Sequence, residues 1–551
     1  MAGAAPAKRA TAEAAAETVD WRVPPSAHPP ATRSFLEAYR AGDLAEHFRR
    51  PADDLAGALA APRPVDRPAL VGALRAGAER WGARPAQRRA LERLAHPESR
   101  VVVTGQQVGW LLGPVYTLSK AVTAVRLAQR LDAPERPVVP VFWMATQDHD
   151  VAEMDHAWVL GRDERLHRLH LPLRSGPAVG RAALDPAWIE AALGHLRAID
   201  TADGHGGPHL DDVVALLADA AEGAARWSDA FARLVTALLG DQGMLVLDPL
   251  DPEVARLWRP LLDRELDDPE VSADHVRHGG ARLEARGWSA QLGRGEGASN
   301  LFVERPRGPS RELLRRDGDG WRVGHAHVTR AELGAWLDAD PTAVTPAAGL
   351  RPVLQDAVLP SAVFVVGPGE LRYLAQLRGV YDEHGVEMPL IWPRASVTVL
   401  QPPVRRILER HGLDWRAVQR DPRRAHCDLA LRLHGHADAF NAALALVERE
   451  AGELIEHVRG IDPTLERSVR QGRRHLDRTL VTLREKASHA LARRDDELRA
   501  QFRRLEAHLR PNGGLQERVL SPFTFFLTLG VEAVRDGFLE LPPEGEHVLT
   551  F

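Results

Sequence analysis

Short, almost wholly apolar runs restrict the fold of this chain more than any other feature of its sequence. Each run is rich in Val, Ile or Leu and has Gly, Asp or Pro close to its ends. This pattern is typical of parallel strands covered on both faces by helices, because such strands have no solvent-facing side. The predicted strands are 101–104, 138–144, 244–247, 362–366 and 389–392, with 397–400 as a sixth candidate.

Helical periodicity follows two of these runs. Leu118, Val122, Val125 and Leu131 fall at roughly helical spacing after the first run, and another amphipathic pattern covers 370–384 after the fourth. The repeated order of strand, turn, helix and strand is the signature of a doubly wound sheet. We therefore predict an α/β fold with a Rossmann-like parallel sheet as its core.

Long intervals between the strands indicate insertions into this core. The interval at about 160–240 is helical and rich in Ala and Leu, and the one at about 265–345 mixes short strand-like runs with glycine-rich turns. A chain of 551 residues is also too long for one ordinary hydrophobic core. We expect a flexible Ala-rich tail at 1–20 and a catalytic core with both insertions at 21–435.

Beyond Ala437 the pattern changes to long amphipathic helices. Apolar or small residues step by threes and fours to about Leu509, with arginine and glutamate on the outer positions. This spacing predicts a coiled coil at 436–510, and one long helix within a bundle is the alternative. The segment 511–551 returns to apolar strand-and-turn composition, and we expect it to pack back on the core.

Composition excludes several classes of protein. The net charge of −5, from 71 basic and 76 acidic residues, offers no basic surface for nucleic acid. No run of about 18 apolar residues could span a membrane, and the first residues lack a signal-peptide pattern, so a cytoplasmic protein is expected. The single cysteine, Cys427, permits neither an internal disulfide nor a multi-cysteine zinc site.

Glycines and amides follow the first predicted strand, at the position where an open α/β sheet binds its ligands. The residues concerned are Gly105, Gln106, Gln107, Gly113 and, on the next helix, Lys120. Glycines let backbone N–H groups face an anion, and glutamine amides both donate and accept hydrogen bonds. The spacing matches neither a Walker A loop nor Gly-x-Gly-x-x-Gly, so a purely structural turn is an alternative.

A histidine flanked by carboxylates follows the second predicted strand. His149 lies between Asp148 and Asp150, which can orient the ring and hold up its pKa, as a general base or acid requires. Together with His156, the same side chains also have the chemistry of a metal site. A surface loop with helix-capping aspartates is a further alternative.

Charged residues also accompany the fourth and fifth predicted strands. They are Gly367, Gly369, Glu370 and Tyr373 after the fourth strand, Arg351, Gln355 and Asp356 upstream of it, and Arg394 after the fifth. A carboxylate in the first turn of a helix is favoured by the helix dipole. Ordinary capping and surface charge is the alternative reading of these groups.

In this order, the motifs resemble the family of the cysteine-adding enzyme of bacillithiol biosynthesis. The resemblance rests on Thr104-Gly105-Gln106-Gln107, Gly113-Pro114, Tyr116-Thr117, Phe142-Trp143, Asp148-His149-Asp150, Leu350 to Asp356, Gly367 to Glu370 with Tyr373, Gln376-Leu377, Pro393-Arg394, and Leu515 to Arg518. Gln147 stands where the family more often has glutamate, so this chain lacks an acidic side chain at that position.

The resemblance implies a ligase that adds L-cysteine to the amine of glucosaminyl-malate, the last step of bacillithiol biosynthesis. It also implies a Rossmann-like core with insertions similar to those of class I aminoacyl-tRNA synthetases, and a coiled coil that forms a homodimer. Amide formation needs an activated carboxylate, so ATP or ADP is the expected cofactor, and no metal is predicted. A ligase for another amino acid, a metal-dependent hydrolase using Asp148, His149, Asp150 and His156, and a non-catalytic coiled-coil scaffold are the competing hypotheses.

For the ligase, each predicted site residue has a role. His149 is the base, oriented by Asp148 or Asp150. Phosphate or substrate carboxylates are bound by Gly105, Gln106, Gln107, Gly113, Lys120, Gly367 and Gly369. Asp356 or Glu370 binds the cysteine ammonium, Arg351 or Arg394 pairs with a malyl carboxylate, and Gln355 and Tyr373 complete the substrate-binding set.

Overall fold

The computed structural model of the protein describes residues 34–202, 204–293, 295, 297–305 and 310–551. The predicted Ala-rich tail at 1–20 lies outside the described residues. Contacts divide the chain into two units. The core unit comprises the described residues up to Asp163, with His167–Val397 and Leu520–Leu549. The helical unit comprises Glu164–Leu166, Thr398–Val519 and Thr550–Phe551.

The strands, in chain order, are β1 (Arg100–Gln106), β2 (Val138–Met144), β3 (His156–Leu160), β4 (Leu166–His170), β5 (Leu245–Leu247), β6 (Ala298–Glu304), β7 (Arg311–Asp317), β8 (Gly320–Val323), β9 (Ala326–Val328), β10 (Val344–Pro346), β11 (Ser361–Val366), β12 (Leu390–Pro393), β13 (Ser396–Leu400) and β14 (Glu546–Thr550).

The helices are α1 (Phe35–Arg40), α2 (Leu55–Ala60), α3 (Arg67–Arg80), α4 (Pro85–Leu94), α5 (Tyr116–Leu131), α6 (Pro186–Asp200), α7 (Leu210–Ala221), α8 (Trp227–Leu239), α9 (Pro252–Leu257), α10 (Arg259–Asp267), α11 (Pro269–Ala285), α12 (Arg330–Ala339), α13 (Arg351–Val358), α14 (Pro368–Leu374), α15 (Arg378–His384), α16 (Pro402–His411), α17 (Trp415–Arg420), α18 (Pro422–Leu433), α19 (Ala437–Arg459), α20 (Leu465–Ala492), α21 (Asp496–Leu509), α22 (Gln516–Val519), α23 (Phe523–Leu529) and α24 (Val531–Glu540). Among these described helices, none has both the length and the apolar character needed to cross a membrane.

A parallel sheet forms the centre of the core unit. Over the described residues it has five strands, in the order β12-β11-β1-β2-β5. β1 lies in the middle, where Val103 pairs with Phe364 of β11 and with Val141 of β2. The predicted Rossmann-like parallel sheet is confirmed. The run at 397–400 does form a strand, β13, but the described chain does not include β13 in this sheet.

The order of the strands fixes where a ligand can bind. From β1 the chain builds the sheet outwards through β2 to β5, and it then returns to the other side of β1 for β11 and β12. Strand order therefore reverses between β1 and β11. In an open α/β sheet, the crevice beyond the carboxyl ends of the strands at such a switch point is the usual ligand site.

Burial explains why these strands are continuous apolar runs. Every residue of β2 and of β11 is buried, and α5 packs against both β1 and β2. Each fully buried Val, Leu or Phe contributes roughly 1.5–3 kcal/mol relative to an exposed one. A polar side chain on either face of these strands would therefore lower the stability of the protein. Polar groups accordingly concentrate after the strand ends.

The two insertions differ in structure. The first contains the helices α6, α7 and α8, as its Ala- and Leu-rich pattern predicts. The second contains helices and an antiparallel sheet of order β10-β6-β7-β8-β9. This second sheet matters for function because β6, β7 and β10 supply side chains to the edge of the parallel sheet described below.

The helical unit begins earlier than the sequence pattern suggests. Its main segment starts at Thr398, whereas the sequence puts the boundary near 435. The reason is that the helix preceding the coiled coil packs within this unit: the His426 ring stacks on Phe502 at 4.5 Å, and Cys427 Sγ lies 3.5 Å from His489 Nδ1. Helical periodicity shows that a segment is amphipathic, but it does not show which partner covers it.

The last part of the chain contributes to the core unit. Val115 donates its backbone N–H to Leu520 O at 2.8 Å, and Ser521 Oγ donates to Leu111 O at 2.8 Å. Leu111 has a φ of +46°, a left-handed conformation that leucine rarely adopts. The C-terminal segment thus fixes the turn between β1 and α5, which leads into the candidate site.

Candidate active site

The carboxyl ends of four neighbouring strands bring predicted site residues to one edge of the parallel sheet. Gln106 ends β1, Asp148 lies shortly after β2, Gly367 follows β11 directly, and Arg394 follows β12 directly. The backbone N–H of Arg394 donates to Val366 O at 2.9 Å, which ties the ends of β11 and β12 together. The edge includes the switch point between β1 and β11.

Lys120 of α5 connects the end of β1 to the start of α14, the helix that follows β11. Its side chain is 1% exposed, and its Nζ lies 2.5 Å from Gly105 O, 3.1 Å from Gln106 Oε1 and 2.5 Å from Glu370 Oε2. Burial lowers the pKa of the ammonium, and the Glu370 carboxylate opposes this shift. Because three acceptors use its three protons, Lys120 is placed to position Gln106 and Glu370 rather than to bind a phosphate as the sequence suggested.

Glu370 occupies the N-terminal turn of α14. Its Oε2 accepts the backbone N–H of Gly367 at 2.8 Å in addition to the Lys120 proton. The Glu370 carboxylate therefore binds the Gly367 backbone N–H that the sequence analysis assigned to a bound anion. In this arrangement the Gly367 amide is not open to a phosphate.

Two other glycines are required by the backbone. A Cβ on Gly105 would lie 3.1 Å from the carbonyl oxygen of Trp143 on β2, closer than ordinary packing allows. Gly113 has a φ of +63° in the turn before α5, a conformation that favours glycine. These contacts support the structural reading of both glycines, which the sequence left open.

Gln106 and Gln107 connect Lys120 by hydrogen bonds to Asp148 in the turn after β2. An ammonium can only donate, so Gln106 turns its Oε1 to Lys120 and its Nε2 towards Gln107 Oε1 at 3.4 Å. Gln107 then donates from Nε2 to Asp148 Oδ2 at 2.9 Å and to Glu153 Oε2 at 2.6 Å. We call Glu370, Lys120, Gln106, Gln107 and Asp148 the switch-point chain. It fixes both amide orientations by a cation at one end and carboxylates at the other.

His149 is held by an arginine from the second sheet, not by a carboxylate. Arg311 NH1 lies 2.9 Å from His149 Nδ1, whereas Asp148 Oδ1 is 3.9 Å from that nitrogen. Burial and the Arg311 charge lower the pKa of His149, although Asp148 and Asp150 oppose the shift. The expectation that flanking carboxylates would hold up this pKa is therefore wrong, because a cation contacts the ring.

The two aspartates beside His149 act on the backbone. Asp148 Oδ1 accepts the backbone N–H groups of His149 at 2.7 Å and of Asp150 at 3.3 Å. Asp150 accepts the N–H of Ala152 at 3.2 Å and caps the short turn that follows. The capping role, given as an alternative for this loop, describes Asp150 well, while Asp148 also faces Gln107.

The fourth residue of the alternative metal site has a different partner. His156 Nδ1 lies 2.8 Å from Asp155 Oδ1. Over the part of the chain that the structure describes, no group of three or more His, Cys, Asp or Glu side chains is arranged to hold a metal ion. The geometry gives the metal-dependent hydrolase no support.

Asp356 lies inside the protein and not at the edge of the sheet. It is 3% exposed, and its carboxylate accepts from Tyr381 OH at 2.6 Å and from Gln355 Nε2 at 3.1 Å. Burial raises the pKa of Asp356. Its predicted role in binding an ammonium is therefore wrong, because a ligand cannot reach a buried and hydrogen-bonded carboxylate.

Gln355 links this interior group to Arg351. Arg351 donates from NH1 to Gln355 Oε1 and from NH2 to Tyr373 OH, both at 3.0 Å. Tyr373 and Glu370 share α14, so Arg351 and Tyr373 lie near the switch-point chain while Gln355, 0% exposed, serves the interior. The Arg394 guanidinium lies 5.8 Å from the Tyr116 ring and is the other cation of this edge.

Comparison with known proteins agrees with this architecture. Residues 32–395 match the bacillithiol biosynthesis BshC N-terminal Rossmann-like domain, and residues 397–549 match the BshC C-terminal coiled-coil domain. The chain belongs to the BshC family. The second match confirms the predicted coiled coil, and the two matches meet close to the boundary between the core and helical units.

Relatives in the BshC family cover most of the chain. Two from strains of Thermus thermophilus are named "Putative cysteine ligase BshC" and are 40% identical, over 84% and 88% of this chain and 89% and 95% of their own. A relative of the same name from Salinibacter ruber is 36% identical over 86% of each chain. This BshC-family chain is a ligase of bacillithiol biosynthesis.

Sequence reasoning missed two residues at the edge of the sheet. Asp248 directly follows β5, is 1% exposed and accepts from Thr146 Oγ1 at 2.5 Å. It could have been found by the rule that led to Gln106 and Asp148, since it comes directly after a predicted strand. Arg311 had no such signal, because it lies in an insertion without clear periodicity and reaches His149 only through the fold.

Gln147 is the buried member of the turn after β2. It is 2% exposed, and within the described residues neither its Oε1 nor its Nε2 has a hydrogen-bond partner. Gly180 covers this turn, donating its backbone N–H to Thr146 O at 2.8 Å. An ionised glutamate here would be buried without a partner, at a far higher cost than a neutral amide.

Proposed function

We propose that this ligase joins the carboxyl group of L-cysteine to the glucosamine amine of glucosaminyl-malate, forming an amide. The reaction requires a site that holds two polar substrates close together, each of which carries both amino and carboxylate groups. The switch-point chain is the observation that carries this proposal. It links a cation on α5, two amides at the end of β1, and carboxylates from the β2 turn and α14 across the crevice where a Rossmann-like sheet binds its ligands.

Charges at the two sides of the crevice suit the two substrates. Arg351 lies beside β11, and a guanidinium can bind a malyl carboxylate through two parallel hydrogen bonds. Arg394, after β12, is only 7% exposed and donates to Ala395 O at 2.9 Å, so it contributes positive charge to this side rather than a direct contact. Asp148 and Glu153, held together by Gln107, provide negative charge for the cysteine ammonium on the β2 side. These two carboxylates take over the role expected of Asp356 and Glu370, because Asp356 is buried and Glu370 is paired with Lys120.

Activation of the cysteine carboxylate is proposed on chemical grounds alone. A free carboxylate does not form an amide with an amine until it carries a better leaving group, and ATP is the reagent we propose, with ADP or AMP as its product. The predicted phosphate cradle does not fit that group, since Lys120 and the Gly367 amide already bind protein acceptors. We therefore assign no residue to a phosphate.

Thiol profiling of a deletion strain by mass spectrometry tests the proposed function in the cell. We expect glucosaminyl-malate to accumulate and bacillithiol to disappear, with both restored by the wild-type gene. Unchanged bacillithiol in the deletion strain would refute the proposal. Accumulation of a different amine would instead point to another ligase substrate.

We further propose that two copies pair through the coiled coil. Large apolar side chains are exposed on and beside α19 and α20, among them Leu446, Leu454, Ile461, Leu476 and Leu483, with exposed fractions of 48–70%. A monomer rarely exposes so many large apolar side chains together, since burying them against a partner is favourable. A homodimer is the partner that a coiled coil of one chain most simply provides.

A further inference from the structure

The ring of His149 is enclosed by the second sheet on the side of Nδ1. Arg311 of β7 contacts Nδ1 at 2.9 Å, and the ring of Phe302 on β6 lies 5.2 Å from the imidazole. The Arg311 guanidinium also lies 4.0 Å over the Phe302 ring. Two strands from an insertion thus position a side chain that belongs to the turn after β2.

Arg311 is itself fixed by further hydrogen bonds. Its Nε donates to Thr345 Oγ1 at 2.9 Å and its NH2 donates to Pro346 O at 2.8 Å, both on β10. The side chain is 7% exposed. Burial lowers the pKa of Arg311 to about 10, so it stays a cation and a hydrogen-bond donor at neutral pH.

This contact determines where the imidazole carries its proton. A guanidinium has no acceptor, so Nδ1 must accept from Arg311 and cannot hold a proton of its own. Neutral imidazole then carries its single proton on Nε2. Nε2 has no hydrogen-bond acceptor among the described residues, and the side chain is 37% exposed, so this N–H is free for a ligand.

We propose that His149 acts in the ligase reaction as a neutral hydrogen-bond donor through Nε2–H, and that Arg311 is the positioning residue that enforces this tautomer. The inference rests on the proposed function. The acceptor is an oxygen that gains negative charge as the amine attacks the activated carboxyl group. Preorganised donors of this kind stabilise a transition state, whereas a base must have an unprotonated nitrogen facing the amine.

The charged groups around the ring are consistent with this role. The carboxylates of Asp148, Asp150 and Glu304 raise the pKa of His149. Burial of the ring and the positive charge of Arg311 lower it, and the net shift is downwards. The ring therefore loses its second proton more readily than an ordinary histidine does. A base needs a nitrogen that is both unprotonated and accessible. Nδ1 is unprotonated but is covered by Arg311, and Nε2 is accessible but carries the proton.

Nitrogen NMR of the full-length protein, selectively labelled with ¹⁵N-histidine, tests the tautomer without any assay of activity. The His149 signals are identified by their loss in His149→Gln. We expect a protonated Nε2 and an unprotonated Nδ1 at pH 7. A proton on Nδ1, or an imidazolium at pH 7, would overturn the proposal even if the protein proves to be the expected ligase.

Kinetics of paired variants test the donor role. We expect His149→Ala to lower kcat by about 10²–10³-fold, the usual effect of losing one transition-state donor. His149→Gln, whose amide can still donate, should keep at least about tenfold more kcat than His149→Ala. Equal inactivity of the two variants would contradict the donor role and favour a base.

Arg311 variants test the positioning role. Arg311→Met should shift the His149 titration towards its ordinary pKa and lower kcat more than it raises KM, and Arg311→Lys should restore part of both. Thr345→Val removes a neighbouring hydrogen bond of Arg311 without touching His149, so it controls for loosening of the second sheet. A His149 titration unchanged in Arg311→Met, or a Thr345→Val variant with the same altered titration, would refute the role of Arg311. If Arg311→Met does not fold, the wild-type NMR spectrum and the two His149 variants still decide the proposal.

Discussion

Lys120 is the single side chain on which the geometry of the strand ends most depends. Replacing it by methionine keeps the length of the side chain but removes the ammonium shared by Gly105 O, Gln106 and Glu370. We expect the free energy of unfolding to fall by roughly 3–5 kcal/mol, as when one partner of a buried ion pair is removed. Urea unfolding measures this, with Lys486→Met on the exposed face of α20 as a control expected within about 0.5 kcal/mol of wild type. Equal stability of Lys120→Met and wild type would show that the pair is not formed.

Gln107 is the residue at which the switch-point chain can be cut with the least damage to the fold. Gln107→Leu removes the amide that holds Asp148 and Glu153, and we expect kcat/KM to fall about 100-fold because both carboxylates lose their fixed geometry. The free energy of unfolding should change by only about 1–2 kcal/mol. Steady-state kinetics check this, and Gln129→Leu on α5 is the matched control. Wild-type kinetics for Gln107→Leu would leave the chain without a part in the reaction.

For single residues, the sequence predicts where a side chain lies in the fold better than it predicts which side chain it contacts. Gln106, Asp148 and Arg394 were located because a residue just after a parallel strand must lie at one edge of the sheet. Asp356 was misplaced because the face of α13 on which it lies is decided by packing against Tyr381, which is not a local property. The partner of His149 was missed for a related reason, since Arg311 lies far away in the chain and in another sheet.

The elements themselves follow from sequence where burial is complete. The run at 138–144 coincides with β2, and the other four predicted strands of the parallel sheet agree with the structure within a few residues. Strands buried on both faces give a continuous apolar signal. The second sheet has exposed positions in β7 and β9 and therefore gave only a mixed pattern, so its topology could not be predicted.

Helix α21 contains a histidine that should make the helical unit sensitive to acid. Burial lowers the pKa of His508 to about 4, with a contribution from Arg504. The unfolded chain binds a proton near pH 6.5, so stability is full above that pH and is lost as the pH falls towards 4. Between pH 7.5 and pH 5 this residue should cost about 2 kcal/mol. Urea unfolding of wild type and His508→Gln at both pH values checks this, and an equal loss in the two proteins would contradict it.

The exposed apolar face of α20 gives a prediction about association. Leu476 and Leu483 are one heptad apart, with 52% and 54% of their side chains exposed. The double variant Leu476→Glu, Leu483→Glu should convert a dimer into a monomer at micromolar concentration, because two charges cannot be buried in a coiled-coil seam. Sedimentation velocity measures this, with Arg474→Glu as a control for the change in charge. A dimer unaffected by the double variant would place the interface elsewhere.

At the scale of the whole molecule, the parallel sheet explains how polar residues distant in the chain come to share one crevice. β1 and β11 are neighbours although more than 250 residues separate them, and the strand order reverses between them. The insertion between β5 and β11 adds the second sheet and, with it, Arg311. The parallel sheet could be predicted from the sequence because its strands are continuous apolar runs. The contacts of the site could not, because they depend on how the insertion packs against that sheet.

The most direct test is a reaction of the purified full-length protein with L-cysteine, ¹⁵N-labelled glucosaminyl-malate and ATP, followed by mass spectrometry. We predict a labelled product heavier than glucosaminyl-malate by one cysteinyl group, dependent on cysteine and strongly reduced with Gln107→Leu. A folded wild-type protein that yields no such product, or a Gln107→Leu variant that yields as much of it, would contradict the assignment of the reaction to this crevice.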